Sequence, residues 1–184
     1  INRLGAVANM IDPRLKKEEM IEILNNTNSF NLISIDTFLN SKTIKYLKSH
    51  TSLKNIVLIN PLESLSKNKL LKFYINLKQR IIIDYKKYSL TLWDNFINNG
   101  KLISLENIPS TTEEVPAVMV RTGGTTGKPK TVVLTNKNLN EMANQHALGE
   151  YNFKKKDIFL DFLPPFIAYG ICGATHMPLV LGLN

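Results

Sequence analysis

Thr122-Gly123-Gly124-Thr125-Thr126-Gly127-Lys128-Pro129-Lys130 stands between two short apolar runs, PAVMV (Pro116–Val120) and TVVLT (Thr131–Thr135). Branched apolar runs of this length read as strands, and a glycine-rich tract between them reads as a loop held at strand ends. The tract has the chemistry of an anion cradle. Its glycines let backbone N–H groups turn toward a ligand with no Cβ in the way. Thr122, Thr125 and Thr126 add hydroxyl donors, and Lys128 and Lys130 add positive charge. One lysine–phosphate pair at about 4 Å contributes roughly 4 kcal/mol before desolvation, at an effective dielectric near 20. Pro129 stiffens the exit of the loop, so less entropy is lost when it closes.

Two common phosphate motifs do not fit. A Walker loop needs Ser or Thr directly after its Gly-Lys, and Pro129 follows Lys128. The dinucleotide fingerprint Gly-x-Gly-x-x-Gly fits at Gly124 and Gly127, but threonine occupies position 122.

Outward from the loop, the pattern alternates strand and helix. Downstream, Asn136 is placed to cap a helix over KNLNEMANQHALGEY, DIFLDFLP reads as a third strand, and FIAYGICGATHMPLVLGL as a buried glycine-rich helix. Upstream, SLENIPSTTEEVP reads as a polar loop. Further back, Asp12-Pro13 suits the start of a helix running to about Asn26. NLISI (Asn31–Ile35) reads as a buried strand, TFLNSKTIKYLKSH as a helix and KNIVLIN (Lys54–Asn60) as a second strand, which makes a βαβ unit with parallel strands. From Pro61 to Gly100 the spacing is helical, with Gly100 as the stop and Trp93 and Phe96 as core anchors. The fold class expected is therefore α/β, with mostly parallel sheets flanked by helices. Residues 1–100 form a first α/β portion with a basic helical segment, 101–116 a linking loop, and 117–184 the α/β portion that carries the loop.

Composition narrows the function. With 184 residues, 43% apolar and 21% charged, the chain is a globular core-former. Its 23 Lys/Arg against 15 Asp/Glu give +8, and residues 42–87 alone hold 11 Lys/Arg against 2 Asp/Glu. Tyrosines and phenylalanines interleave with those lysines, which raises a nucleic-acid surface as an alternative. However, Ile44, Leu47, Leu70, Leu71, Phe73, Tyr74 and Leu77 fall at helical spacing, as in amphipathic helices with solvated lysine faces. No specific nucleic acid is expected as partner. No apolar run reaches the length of a membrane span, and no secretory leader is evident. Cys172 is the one cysteine, which suits a reducing, cytoplasmic setting and an inert core position. His50, His146 and His176 have no metal-ligand spacing, so no protein metal site is expected.

The loop resembles the phosphate-binding signature of the adenylate-forming (AMP-binding) enzymes: acyl- and aryl-CoA synthetases, luciferases and peptide-synthetase adenylation domains. Their pattern, aromatic-Thr-Ser-Gly-Thr-Thr-Gly-x-Pro-Lys-Gly-Val, is matched at Thr122, Gly124, Thr125, Thr126, Gly127, Pro129, Lys130 and Val132. TVVLTNKNL, LPPFIAYG (Leu163–Gly170) and GAVANMIDPRLKKEEMIEIL are similar to further segments of that family. Four departures stand out. Gly123 replaces a serine, Thr131 a glycine, Arg121 an aromatic, and Ile167 a histidine found in many members.

The resemblance implies part of the large N-terminal domain of an ATP-dependent acid–thiol ligase. Such an enzyme joins a carboxylic acid to ATP as an acyl-adenylate, with Mg²⁺ nearby, then passes the acyl group to a thiol such as CoA. Thr122, Gly123, Gly124, Thr125, Thr126, Gly127 and Lys128 would hold the phosphates. Lys130 would be the catalytic residue that offsets charge on the leaving pyrophosphate, and Phe166, Tyr169 and Gly170 would shape the acid pocket. The family's Tyr-Gly-x-Thr-Glu and Thr-Gly-Asp motifs and its C-terminal domain's lysine are not in the sequence, so residues 1–184 are expected to be a fragment, inactive alone and completed by that missing C-terminal domain. A non-catalytic nucleotide-binding or interaction module, and a peptide-synthetase-type adenylation domain, are the alternatives.

Overall fold

The computed structural model describes residues 1–61, 87–101, 112–123, 129–149 and 152–184. They fall into two compact units, one made of Ile1–Asp12 and Leu105–Asn184, the other of Pro13–Ser104.

In the second of these, helix α1 (Lys17–Asn26), strand β2 (Asn31–Ile35), helix α2 (Ser41–His50) and strand β3 (Asn55–Ile59) build the expected βαβ unit. β2 and β3 pair parallel without a slip, from Asn31↔Asn55 to Ile35↔Ile59. Between them Asn40 caps α2, its side-chain oxygen accepting from the Thr43 N–H at 2.9 Å. α2 turns Ile44 and Leu47 inward, where both are fully buried. Each such side chain contributes about 1.5–3 kcal/mol by leaving water. Lys42 and Lys45 remain exposed on the opposite face.

Several expectations for this unit are corrected. α1 does not begin at Asp12-Pro13 but after Lys16, whose N–H donates to the Glu19 carboxylate at 3.0 Å. That carboxylate also suits the positive end of the helix. Among the described residues β2 lies at the edge of its sheet with Ile33 exposed, so it is not a buried strand. The run taken as helical to Gly100 contains strand β4 (Leu90–Leu92), parallel to β3. Helix α3 (Trp93–Gly100) follows it and includes Gly100 rather than stopping before it. Trp93 and Phe96 stack on each other at 5.7 Å; Phe96 is 44% exposed and so is not a core anchor, while Trp93 is half-buried. The rest of the helical expectation, residues 62–86, lies outside the described residues.

The other unit carries a three-stranded sheet in the order β1-β5-β6. Strand β1 (Ala8–Asn9) runs parallel to β5 (Pro116–Arg121), while β5 and β6 (Thr131–Thr135) are antiparallel. Among the described residues the strands thus pair parallel except at the pair that flanks the loop. Helix α4 (Asn136–Leu148) is capped by Thr135, one residue before the expected Asn136. The Thr135 Oγ1 accepts from the Asn138 N–H at 3.2 Å, and the Asn138 Oδ1 accepts from the Thr135 N–H at 3.0 Å. This reciprocal arrangement satisfies two otherwise open helix-end donors.

Ala117, Val118 and Val120 of β5 pack with Leu139 of α4 and with Cys172 as the core of this unit. Cys172 lies on a π-helical stretch, Gly170–His176, which runs into helix α5 (Met177–Leu181). The expected single helix over this region is therefore widened by a π segment. DIFLDFLP is not a strand. Ile158, Leu160 and Phe162 alternate as strand residues would, yet they are 90%, 79% and 77% exposed. The Asp157 carbonyl accepts from the Asn184 N–H at 2.8 Å and the Phe159 N–H donates to the Asn184 carbonyl at 2.7 Å, and no ladder extends from there among the described residues. No helix among the described residues is long and apolar enough to cross a membrane.

Candidate functional site

The loop leaves β5 at Arg121 and rejoins the sheet at Thr131, two residues that pair directly. Its neck is closed one step further out. The Thr122 N–H donates to the Lys130 carbonyl at 3.0 Å, and the Lys130 N–H donates to the Thr122 Oγ1 at 3.0 Å. Thr122 therefore spends its amide and one lone pair on fixing the loop's ends together, and its hydroxyl proton has no acceptor among the described residues. Lys130 is exposed beside it. Gly123 is exposed too, has open space around the position a Cβ would take, and its N–H has no hydrogen-bond partner among the described residues. Gly124, Thr125, Thr126, Gly127 and Lys128, the middle of the expected cradle, lie outside the described residues.

The segment resembling an acid pocket comes to the same strand end. Ile167 forms a parallel bridge with Arg121, which draws the turn Pro164–Ile167 alongside the exit of β5. Phe166 is half-buried in that turn. Tyr169 is 56% exposed and lies over the π segment, its ring 6.5 Å from that of His146 on α4. Gly170 is buried, and a Cβ there would stand 2.0 Å from the Pro164 carbonyl oxygen. Only glycine fits that approach of two backbones. Thr122, Gly123, Lys130 and Phe166 thus gather at one end of the sheet, whereas Tyr169 and Gly170 begin the helical run behind it.

Three groups absent from the expected site have altered chemistry. Arg121 was visible in the sequence only as a departure from an aromatic. Its Nη2 donates to the Asn9 Oδ1 at 3.2 Å, and burial makes its guanidinium a weaker base than usual. His176 sits on the far side of the core, with its Nε2 3.0 Å from the Asn140 Oδ1, and burial lowers its pKa from the ordinary value. Cys172 is buried and its thiol pKa is raised by that burial, as for an unreactive core cysteine.

Among the described residues no three His, Cys, Asp or Glu side chains gather to hold a metal. The donors at the loop are hydroxyls, amides and amines, which suit phosphate oxygens rather than a resident cation.

A family model described as AMP-binding enzyme matches residues 1–184. Over 80 residues the chain is 39% identical to the Humulus lupulus protein named "Probable CoA ligase CCL8", a match covering 42% of this chain and 13% of that protein. The anthranilate CoA ligase AuaEII, solved with anthranoyl-AMP, superposes with a TM-score of 0.72 at 21% identity, over 99% of this chain and 30% of its own. A red-emitting luciferase from Phrixothrix hirtus gives 0.69 at 16% identity, over 98% and 31%. The adenylation domain of a carboxylate reductase from Mycobacterium chelonae gives 0.70 at 14% identity, over 98% and 27%. At these identities the structural likeness is one of fold. The chain spans about a third or less of the length of each of these proteins.

Proposed function

The chain belongs to the AMP-binding enzyme family, and from that premise we propose that the protein activates a carboxylic acid with ATP and transfers it to a thiol. In the first step a carboxylate oxygen attacks the α-phosphorus, the bond from that phosphorus to the bridging oxygen breaks, and pyrophosphate leaves. In the second the thiol sulfur displaces AMP from the acyl-adenylate. CoA is the proposed thiol, because the 39% identical segment belongs to a protein named as a CoA ligase.

The observation that carries this reading is the Thr122–Lys130 clasp, which closes the glycine–threonine loop at the strand end. Gly123 and the loop residues Gly124 to Lys128 are proposed to offer amides and hydroxyls to the β- and γ-phosphates. Lys130 is proposed to offset the charge that grows on the bridging oxygen as pyrophosphate departs. Fixed donors of this kind act without reorganising during the reaction, which is why they lower the barrier. Mg²⁺ would arrive on the phosphates and partly neutralise them. Phe166 and Tyr169 are proposed to face the acid, with Gly170 holding the turn that presents them.

Carboxylic-acid-dependent ATP–pyrophosphate exchange tests this. The whole protein is expected to catalyse exchange with at least one acid of a panel, and Lys130→Ala to lower the rate on the order of 10²-fold. Residues 1–184 alone are expected to give none, since they span so small a share of the matched ligases. Exchange that survives Lys130→Ala unchanged would contradict the assignment of Lys130. No exchange with any acid would favour a nucleotide-binding module without catalysis.

A further inference from the structure

Arg121 carries a half-paired guanidinium at the base of the loop. One terminal nitrogen, Nη2, is held by Asn9 on the neighbouring strand β1. The other, Nη1, is buried and has no hydrogen-bond partner among the described residues. Buried polar groups in folded proteins are nearly always paired, and a buried charged N–H left unpaired is costly enough to need a reason. No carboxylate among the described residues forms an ion pair with Arg121 to offset its charge.

The register fixes where this nitrogen lies. Asn9 pairs with Met119, and Arg121 follows Met119 by two residues, so all three share one face of the sheet. Val118 and Val120 point to the opposite, core face. Along the strand, Arg121 is followed at once by Thr122 of the clasp, and at its side it bridges Ile167 next to Phe166. A guanidinium offers N–H groups in a rigid planar fork that matches the oxygens of carboxylates and phosphates. With Nη2 tied to Asn9, the fork is held in place and its other arm is left for a ligand.

We propose that Arg121 is an oxyanion-binding residue of this protein, with Nη1 donating to a phosphoryl or carboxylate oxygen of a ligand seated between the Thr122–Lys130 neck and the Phe166–Ile167 turn. The oxygen comes either from the polyphosphate of the nucleotide or from the carboxylate of the acid. The proposal rests on the reading of the loop as an anion site, and it adds a donor that the loop signature itself does not contain.

Calorimetric titration with tripolyphosphate alone and with benzoate alone separates the sources. The protein is compared with Arg121→Gln and Arg121→Lys. The expected result is at least a tenfold loss of affinity for one probe in Arg121→Gln, with partial recovery in Arg121→Lys, which keeps the charge but not the fork. Loss confined to tripolyphosphate assigns the nucleotide, and loss confined to benzoate assigns the acid. If Arg121→Gln does not fold, the Nε–H signal of Arg121 in the unaltered ¹⁵N-labelled protein, identified by its absence in Arg121→Lys, is expected to shift saturably with the same probe. Tripolyphosphate binding with no affinity change for either probe in Arg121→Gln and no shift at Arg121 with either would overturn the oxyanion role and leave the loop reading standing. Binding of neither probe by the unaltered protein would overturn both.

Discussion

Gly170 shows how one absent side chain governs the ground next to the loop. Its backbone lies so close to Pro164 that a methyl group would meet the Pro164 carbonyl oxygen at 2.0 Å. That carbonyl already accepts from the Ile167 N–H at 3.2 Å, the bond that shapes the turn carrying Phe166. Gly170→Ala must therefore push the turn away from the helical run or break it open, and overpacking of this sort costs about 1–3 kcal/mol. The urea midpoint of Gly170→Ala is expected to fall accordingly, and an unchanged midpoint would show that the two backbones are not in contact. Arg121 belongs to the same scale. Its place in the sequence marked it as unusual, but its orphaned nitrogen follows from the strand beside it and from burial, neither of which a single sequence displays.

At the scale of elements, what was legible depended on whether the deciding interactions were local. The βαβ unit was readable because Asn31–Ile35 and Asn55–Ile59 carry branched residues and a lysine-faced helix lies between them. β1 and β4 were not, because two and three residues are too short to show a period and exist as strands only through β5 and β3. DIFLDFLP failed in the opposite way. It has the alternation of a strand, but alternation alone does not supply a partner, and its Ile158, Leu160 and Phe162 stay in solvent. The start of α4 was misplaced by one residue because Thr135 and Asn136 are both good caps by composition. The geometry decides for Thr135, whose hydroxyl takes the Asn138 N–H. Thr135→Ala is expected to lower stability by about 1 kcal/mol with an unchanged denaturant slope. A value indistinguishable from zero would mean that the cap is formed by another group.

For the whole molecule, the charge of +8 is distributed in a way that composition alone left open between a nucleic-acid surface and solvated helix faces. α2 resolves its own share, since Ile44 and Leu47 are core and Lys42 and Lys45 are its outer face. The loop signature remains the part of the chain that specifies chemistry most narrowly. Its flanking strands were foreseeable from the residue pattern, but its clasp and the antiparallel pairing of those strands were not, because a glycine-rich loop can join strands of either sense. Fold and family are settled by the match of the whole chain, and the proposed activity depends on the loop gripping a polyphosphate. The most direct measurement is an NMR titration of the ¹⁵N-labelled protein with MgATP. The account predicts saturable shifts of the Gly123 and Lys130 amides, reversed by competing tripolyphosphate, while the Asn31–Ile35 amides stay still. Gly123 and Lys130 signals unmoved at millimolar ATP would contradict it.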